Sequence, residues 1–304
     1  YLDPKDEKNF TYESPMEGFN TKCLLPGSEP EAWAKHLNNN GFKINHASEL
    51  YKSRQAIKGK AFIHEPYDIP TEFSDTAFLA DRAIKDLLSE KNSFFNHVSF
   101  LKPHPPFHVA EPWFSQVNPD DIDLPAANNS LEELSDRHPL LEELFKKFQN
   151  EKNFTEMRFP ELTEKDIKNI KSVYFGMCAE VDHNIGKILN ALESSDQINN
   201  TMIIFTSDHG EMLGENNLWG KLGWWDSSYR IPLIIHVPGQ QHAFINDMTE
   251  SVDLAPTILD WLGAEIPLDW NGRSLLKHVK NQKMKYHQKI MLFLIMILES
   301  GHHL

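Results

Sequence analysis

Positions 206–221 read TSDHGEMLGENNLWGK, and two adjacent ionisable residues, Asp208 and His209, sit directly after a short apolar run, Met202 to Phe205. A carboxylate oxygen and an imidazole nitrogen are both good donors to a divalent cation. Gly210 follows, and a glycine there lets the backbone turn with no Cβ in the way. Two donors do not complete a metal site, so further ligands must come from elsewhere. Lys221 lies twelve residues past His209, among Trp219, Trp224 and Trp225, where a cation could stabilise charge developing on a phosphoryl or sulfuryl oxygen. A second polar cluster is FLKPHPPF, residues 100–107. Its His104 could protonate a leaving group or hydrogen-bond an anionic substrate. Its Lys102 reads equally as a surface charge or an anion contact. Each residue also has a plain reading: a helix-capping Asp beside a bystander His, a structural His104, and a Lys221 whose stem lies along tryptophans.

The elements around these residues must bring them together. SFFNHVSFL, 93–101, is compact and apolar and predicts a buried strand that ends at the prolines of the second cluster. Residues 202–206 and 231–237 predict two more strands. Helical spacing is clearest in three places. One helix is expected from Ser74 or Asp75, with Phe78, Leu79, Ala83, Leu87 and Leu88 as its apolar stripe. A long one follows Thr163, where Thr163 and Asp166 form a capping-box pattern. Its stripe is Ile167, Ile170, Tyr174, Cys178, Val181, Ile185, Ile188, Leu189 and Leu192. VDLAPTILDWLG predicts a third, stopped by Gly263. A short helix near 29–37 and one amphipathic helix around 131–148 complete the set. Strands alternating with long helices indicate an α/β fold, a mostly parallel sheet covered on both faces. Functional groups in such sheets gather outside the carboxyl ends of the strands, where both polar clusters fall.

The 304 residues carry 30 basic and 44 acidic side chains, a net charge of −14, which argues against a nucleic-acid binder. No run approaches the roughly 18 apolar residues of a membrane span; the longest is IMLFLIMIL, Ile290 to Leu298. Cys23 and Cys178 are too few and too far apart for a disulfide framework, and Cys178 reads as a small core residue. No leader is visible. The compartment stays undetermined, with the cytoplasm preferred.

Taken together, TSDHGEMLGENNLWGKLGWWDSSYRIPLII and FLKPHPPF resemble the sulfatase branch of the alkaline phosphatase-like superfamily, nearest to the phosphonate monoester hydrolases. The segments GMCAEVDHNIGKILNALE and SVDLAPTILDWLGAEIP are similar to its helices, and the likeness runs from about 29 to 276. The resemblance implies a metal-dependent hydrolase of sulfate, phosphonate or phosphate esters acting on a small anionic ester, with no nucleic-acid or membrane partner and with homo-oligomers allowed. It implies one divalent ion, calcium or manganese, at Asp208 and His209, and catalytic or substrate-anion roles for His104 and Lys221. The family's nucleophile is a formylglycine made from a C-x-P-S-R-type cysteine. CLLPGS at Cys23 is not that motif, so the formylglycine is expected in an N-terminal part that this chain lacks, leaving an inactive fragment. The alternatives are a phosphodiesterase or mutase of the same superfamily, or a non-catalytic anion-binding relative. Residues 1–276 read as a partial catalytic domain. Residues 277–304 form an atypical tail to which no element is assigned.

Overall fold

The computed structural model describes residues 19–25, 30–51, 63–126, 131–150, 162–221, 224–278 and 290–296. Four strands make one sheet: β1 (Phe95–Phe100), β2 (Thr201–Ser207), β3 (Leu233–His236) and β4 (Ile290–Met296), in the order β1-β4-β2-β3. β4 runs parallel to both β1 and β2, while β3 closes one edge antiparallel to β2. The sheet is therefore mostly parallel, as the alternation of elements predicts. The central position of β4 was not predicted. Its nine-residue apolar run shows no alternation, and such runs are what a strand inside a parallel sheet looks like; by periodicity alone they cannot be told from other buried segments.

Helices cover both faces, and β2 divides its side chains between them with the period of two that a strand imposes. Ile203 and Phe205 pack with Val98 and Phe100 of β1 against α2 (Asp75–Ser89) and α5 (Glu164–Ser194), through Ala80, Ala83, Leu87, Val181, Ile188 and Leu192. Met202 and Ile204 face the other way, onto Leu254 and Trp261 of α7 (Leu254–Leu262). A satellite cluster built on Trp33 and Leu37 packs α1 (Glu31–Asn39) against Phe78 of α2. Among the described residues no helix is long and apolar enough to cross a membrane.

Local signals fix the starts of α2 and α5 and the end of α7. Ser74 caps α2, its hydroxyl accepting from the Ala77 amide at 3.1 Å, which leaves Asp75 for another partner. Thr163 and Asp166 form the capping box of α5 in both directions. α7 ends at Gly263, whose φ of 72° suits a residue without a Cβ. The helix expected around 131–148 is two helices, α3 (Leu131–Arg137) and α4 (Pro139–Asn150). His138 lies between them because a proline disfavours helical backbone at the residue before it. The buried stripe of α5 is also turned slightly from its predicted centre. Its fully buried members include Ile170, Val173, Met177, Glu180, Asn184 and Ile188, with Tyr174 and Cys178 on its flank.

Candidate functional site at the carboxyl edge

Met296 of β4 pairs with Phe100 of β1 on one side and Ser207 of β2 on the other. The last residues of β1 and β2 are therefore level, and both chains leave the sheet at the same edge, about 10 Å apart across two strand spacings. Asp208 is the first residue beyond β2; His104 is the fourth beyond β1. This register, rather than any local signal, puts the two polar clusters on one edge.

Asp208 and His209 form a close pair, with His209 Nε2 3.4 Å from Asp208 Oδ2 and both side chains partly open to solvent. The His209 Nδ1 lies 2.8 Å from the Gly210 carbonyl oxygen. A carbonyl can only accept, so Nδ1 carries the proton in the neutral ring and Nε2 presents a lone pair beside the Asp208 carboxylate. Two such donors 3.4 Å apart are of the kind a divalent cation takes. Backbone contacts hold the pair: the His209 amide donates to Asp208 Oδ1 at 2.9 Å and the Ser207 hydroxyl to the His209 carbonyl at 2.7 Å. Among the described residues no group of three or more His, Cys, Asp or Glu side chains is arranged to hold a metal. The pair fits two positions of a cation site and does not complete one.

Gly210 is required by close approach. Its amide donates to the Ser228 carbonyl at 2.7 Å, and a Cβ would lie 2.0 Å from the Ser227 carbonyl oxygen. This bolts the turn after His209 to the short helix α6 (Asp226–Tyr229). From there the chain loops out and returns to Lys221. The Met212 amide donates to the Gly220 carbonyl at 2.8 Å, and the Gly220 amide donates to Glu211 Oε1 at 2.6 Å. Lys221 therefore begins beside Glu211, two residues past His209. Glu211 is buried, and burial pushes its carboxyl up to about 7, against the opposing pull of the Gly220 and Leu213 amides and the Lys221 charge.

His104 has the same arrangement as His209. Its Nδ1 touches the Pro105 carbonyl oxygen, and its amide donates to the Leu101 carbonyl at 3.0 Å, so in the neutral ring Nδ1 carries the proton. Lys102 takes neither role the sequence suggested. It is buried, with Nζ 2.7 Å from Glu180 of α5 and 3.2 Å from Asp75 of α2. Tyr51 donates to the same Asp75 carboxylate at 3.0 Å. This network clamps the segment that carries His104 onto two helices. Burial drives the Lys102 ammonium down, and its two carboxylates more than reverse that, leaving it well above its usual range. The sequence offered no signal for this, because Glu180 lies outside the predicted apolar stripe and is buried only once α5 is seated.

Neither cysteine fits a nucleophile precursor. Cys178 lies within α5, hydrogen-bonded to Tyr174, and burial pushes its thiol up to about 12. Cys23 is half-buried, and its thiol is also raised, chiefly by burial.

Comparison with known proteins agrees with this architecture. The profile of the family described as Sulfatase matches residues 15–264, which leaves β4 outside the match. The multifunctional alkaline phosphatase superfamily protein PehA of Trinickia caryophylli is 33% identical over 279 residues, covering 88% of this chain and 53% of PehA. Arylsulfatase K of Canis lupus familiaris is 32% identical over 214 residues, 64% of this chain and 38% of its own length. The structure of a phosphonate monoester hydrolase from Silicibacter pomeroyi superposes with a TM-score of 0.80 at 33% identity, covering 93% of this chain and 57% of that one. The chain thus spans about half the length of PehA and of the hydrolase. With the profile spanning most of the sequence and relatives of this kind matching most of it, the chain belongs to the sulfatase family of the alkaline phosphatase-like superfamily.

Proposed function

We propose that this chain is part of the catalytic domain of a metal-dependent hydrolase of small sulfate, phosphonate or phosphate esters. The observation that carries the reading is the level pairing of Phe100 and Ser207 with Met296, which delivers His104 and the Asp208–His209 pair to one edge. The relatives support it by their descriptions, as a phosphonate monoester hydrolase, an arylsulfatase and a multifunctional phosphatase-superfamily protein.

In this reading Asp208 and His209 supply two ligands to one divalent ion, calcium or manganese. When bound, that ion supplies Lewis-acid polarisation of the ester oxygens. Lys221 holds a cation against the non-bridging oxygens, where negative charge gathers as the bond to the leaving oxygen breaks. His104, in its imidazolium form with Nδ1–H held by a carbonyl, gives the Nε2 proton to the departing oxygen and is left as the neutral ring. The formylglycine of the family has no fitting precursor at Cys23 or Cys178, so no step is assigned to it here. The nucleophile is proposed to lie outside these 304 residues.

Two measurements test the reading. The 304-residue chain should show no hydrolysis of aryl phosphonate, phosphate or sulfate esters above background, while a longer product of the same gene bearing the nucleophile should turn over at least one class. Robust, metal-dependent turnover by the chain alone would overturn the assignment of the nucleophile, and an inert longer product would overturn the hydrolase. Calorimetry with calcium or manganese should give weak binding to the chain, with a Kd on the order of 10⁻⁴ M or weaker for so incomplete a ligand set. Asp208→Ala should remove it, and tight binding that survives Asp208→Ala would exclude the pair as the metal site.

A further inference from the structure

We propose that Glu211 is the positioning residue for Lys221, acting as a backbone acceptor that closes the loop carrying the lysine; this rests on the hydrolase reading above. The loop between His209 and Lys221 is costly to form. Leu213, Asn216 and Asn217 all have positive φ, at 48°, 54° and 58°, as does Gly214 at 87°. Asparagine and glycine tolerate that region, but leucine does not, and such a residue persists only where its surroundings over-determine it.

The surroundings here are specific. Glu211 is one residue past Gly210, whose amide is fixed to Ser228. One Glu211 oxygen accepts the Gly220 amide at 2.6 Å and approaches the Leu213 amide at 3.4 Å, so it reaches both ends of the loop. The Met212 amide and Gly220 carbonyl bond alongside, making a two-bond clamp at the neck. Farther out, the Glu215 carboxylate takes the Ser227 hydroxyl, tying the loop to the helix that abuts Gly210. A buried amide with no acceptor is costly. Without the Glu211 oxygen the neck therefore opens, and Lys221, the next residue after Gly220, is freed relative to Asp208 and His209.

An acceptor role and a charge role separate under two substitutions. Glu211→Gln keeps the side-chain length and an oxygen that can accept. Glu211→Asp keeps the charge but withdraws the oxygen by one methylene. In the 304-residue chain, amide exchange at Gly220 and acylation of the Lys221 amine by a succinimidyl ester, both read by mass spectrometry, report the neck directly. Buried Lys102 serves as the folding control because it reacts only on unfolding. Glu211→Asp should raise Gly220 exchange and Lys221 labelling by about tenfold, the loss expected for one hydrogen bond, while Glu211→Gln stays near the parent. In a form that turns over, Glu211→Asp should lower kcat by up to about a hundredfold with a smaller change in KM, and Glu211→Gln should restore most of it. The reverse order, or two variants indistinguishable from the parent, overturns the proposal. If Gly220 and Lys221 respond as expected but no longer form of the protein hydrolyses an ester, the hydrolase reading falls while the closure by Glu211 stands.

Discussion

Lys221→Ala in the form of the protein that turns over is expected to lower kcat by about a hundredfold or more, the usual effect of deleting one preorganised donor to developing charge. KM should move much less. The ammonium stabilises charge that grows only as the ester bond breaks, so its loss is felt in the transition state more than on binding. His104→Ala should behave differently across a series of leaving groups. Proton donation matters most when the departing oxygen is basic, so the variant should be nearly normal on nitrophenyl esters and badly impaired on alkyl esters. Equal losses across the series would move His104 from acid to substrate contact. If Lys221→Ala leaves kcat within a few-fold of the parent, the lysine is not at the reacting centre, and the loop it ends has another purpose.

Lys102→Met is expected to destabilise the fold by about 3–5 kcal/mol, the range for removing one partner of a buried ion pair. Asp75 and Glu180 would then share a dry site without the ammonium between them, whereas the parent spreads Lys102 between them at 3.2 and 2.7 Å. Glu180→Gln should cost much less, because Lys102 and Asp75 still form a neutral pair. The pH dependence gives the sign. In the parent, burial alone would raise the Asp75 carboxyl, but Lys102, with His108 beside it, pulls it below its ordinary range. Its contribution is therefore present above the ordinary carboxylate pKa of about 3.9 and is lost as pH falls through its lower folded value. The Lys102 ammonium is raised, so its contribution is complete below about 10.4 and disappears only as pH rises past its folded value. In Lys102→Met the Asp75 carboxyl loses the charge that chiefly holds it down against burial and more readily takes up a proton, so acid stabilises the variant relative to the parent. Urea unfolding at several pH values should show the gap between the two narrowing as pH falls towards about 4. A gap below about 1 kcal/mol at neutral pH, the size of an exposed pair, would mean that the network is solvated and does not anchor the His104 segment.

By itself the sequence determined three of the four strands among the described residues, the starts of α2 and α5, the end of α7, and the residues worth testing. Those features are local: alternation or compactness for the strands, Ser74, Thr163 with Asp166, and Gly263 for the helix ends, and Asp208-His209-Gly210 after an apolar run. The break at His138 is equally local, set by Pro139, although the amphipathic pattern runs across it. Other matters were decided only by tertiary structure. The central place of β4 depends on pairing across almost 200 residues of chain, and an unbroken apolar run does not say which strands it will join. Lys102 could not be read as an interior cation, because its partners Asp75 and Glu180 come from two different helices. The slight rotation of the α5 stripe, which puts Glu180 rather than Cys178 at its centre, follows from how that helix seats on β1 and α2. The common edge of His104, Asp208 and His209 likewise arises because one strand sets β1 and β2 level. Sequence fixes which groups are available through short-range sterics and hydrogen bonding; which of them meet is set by register, which only the assembled sheet defines.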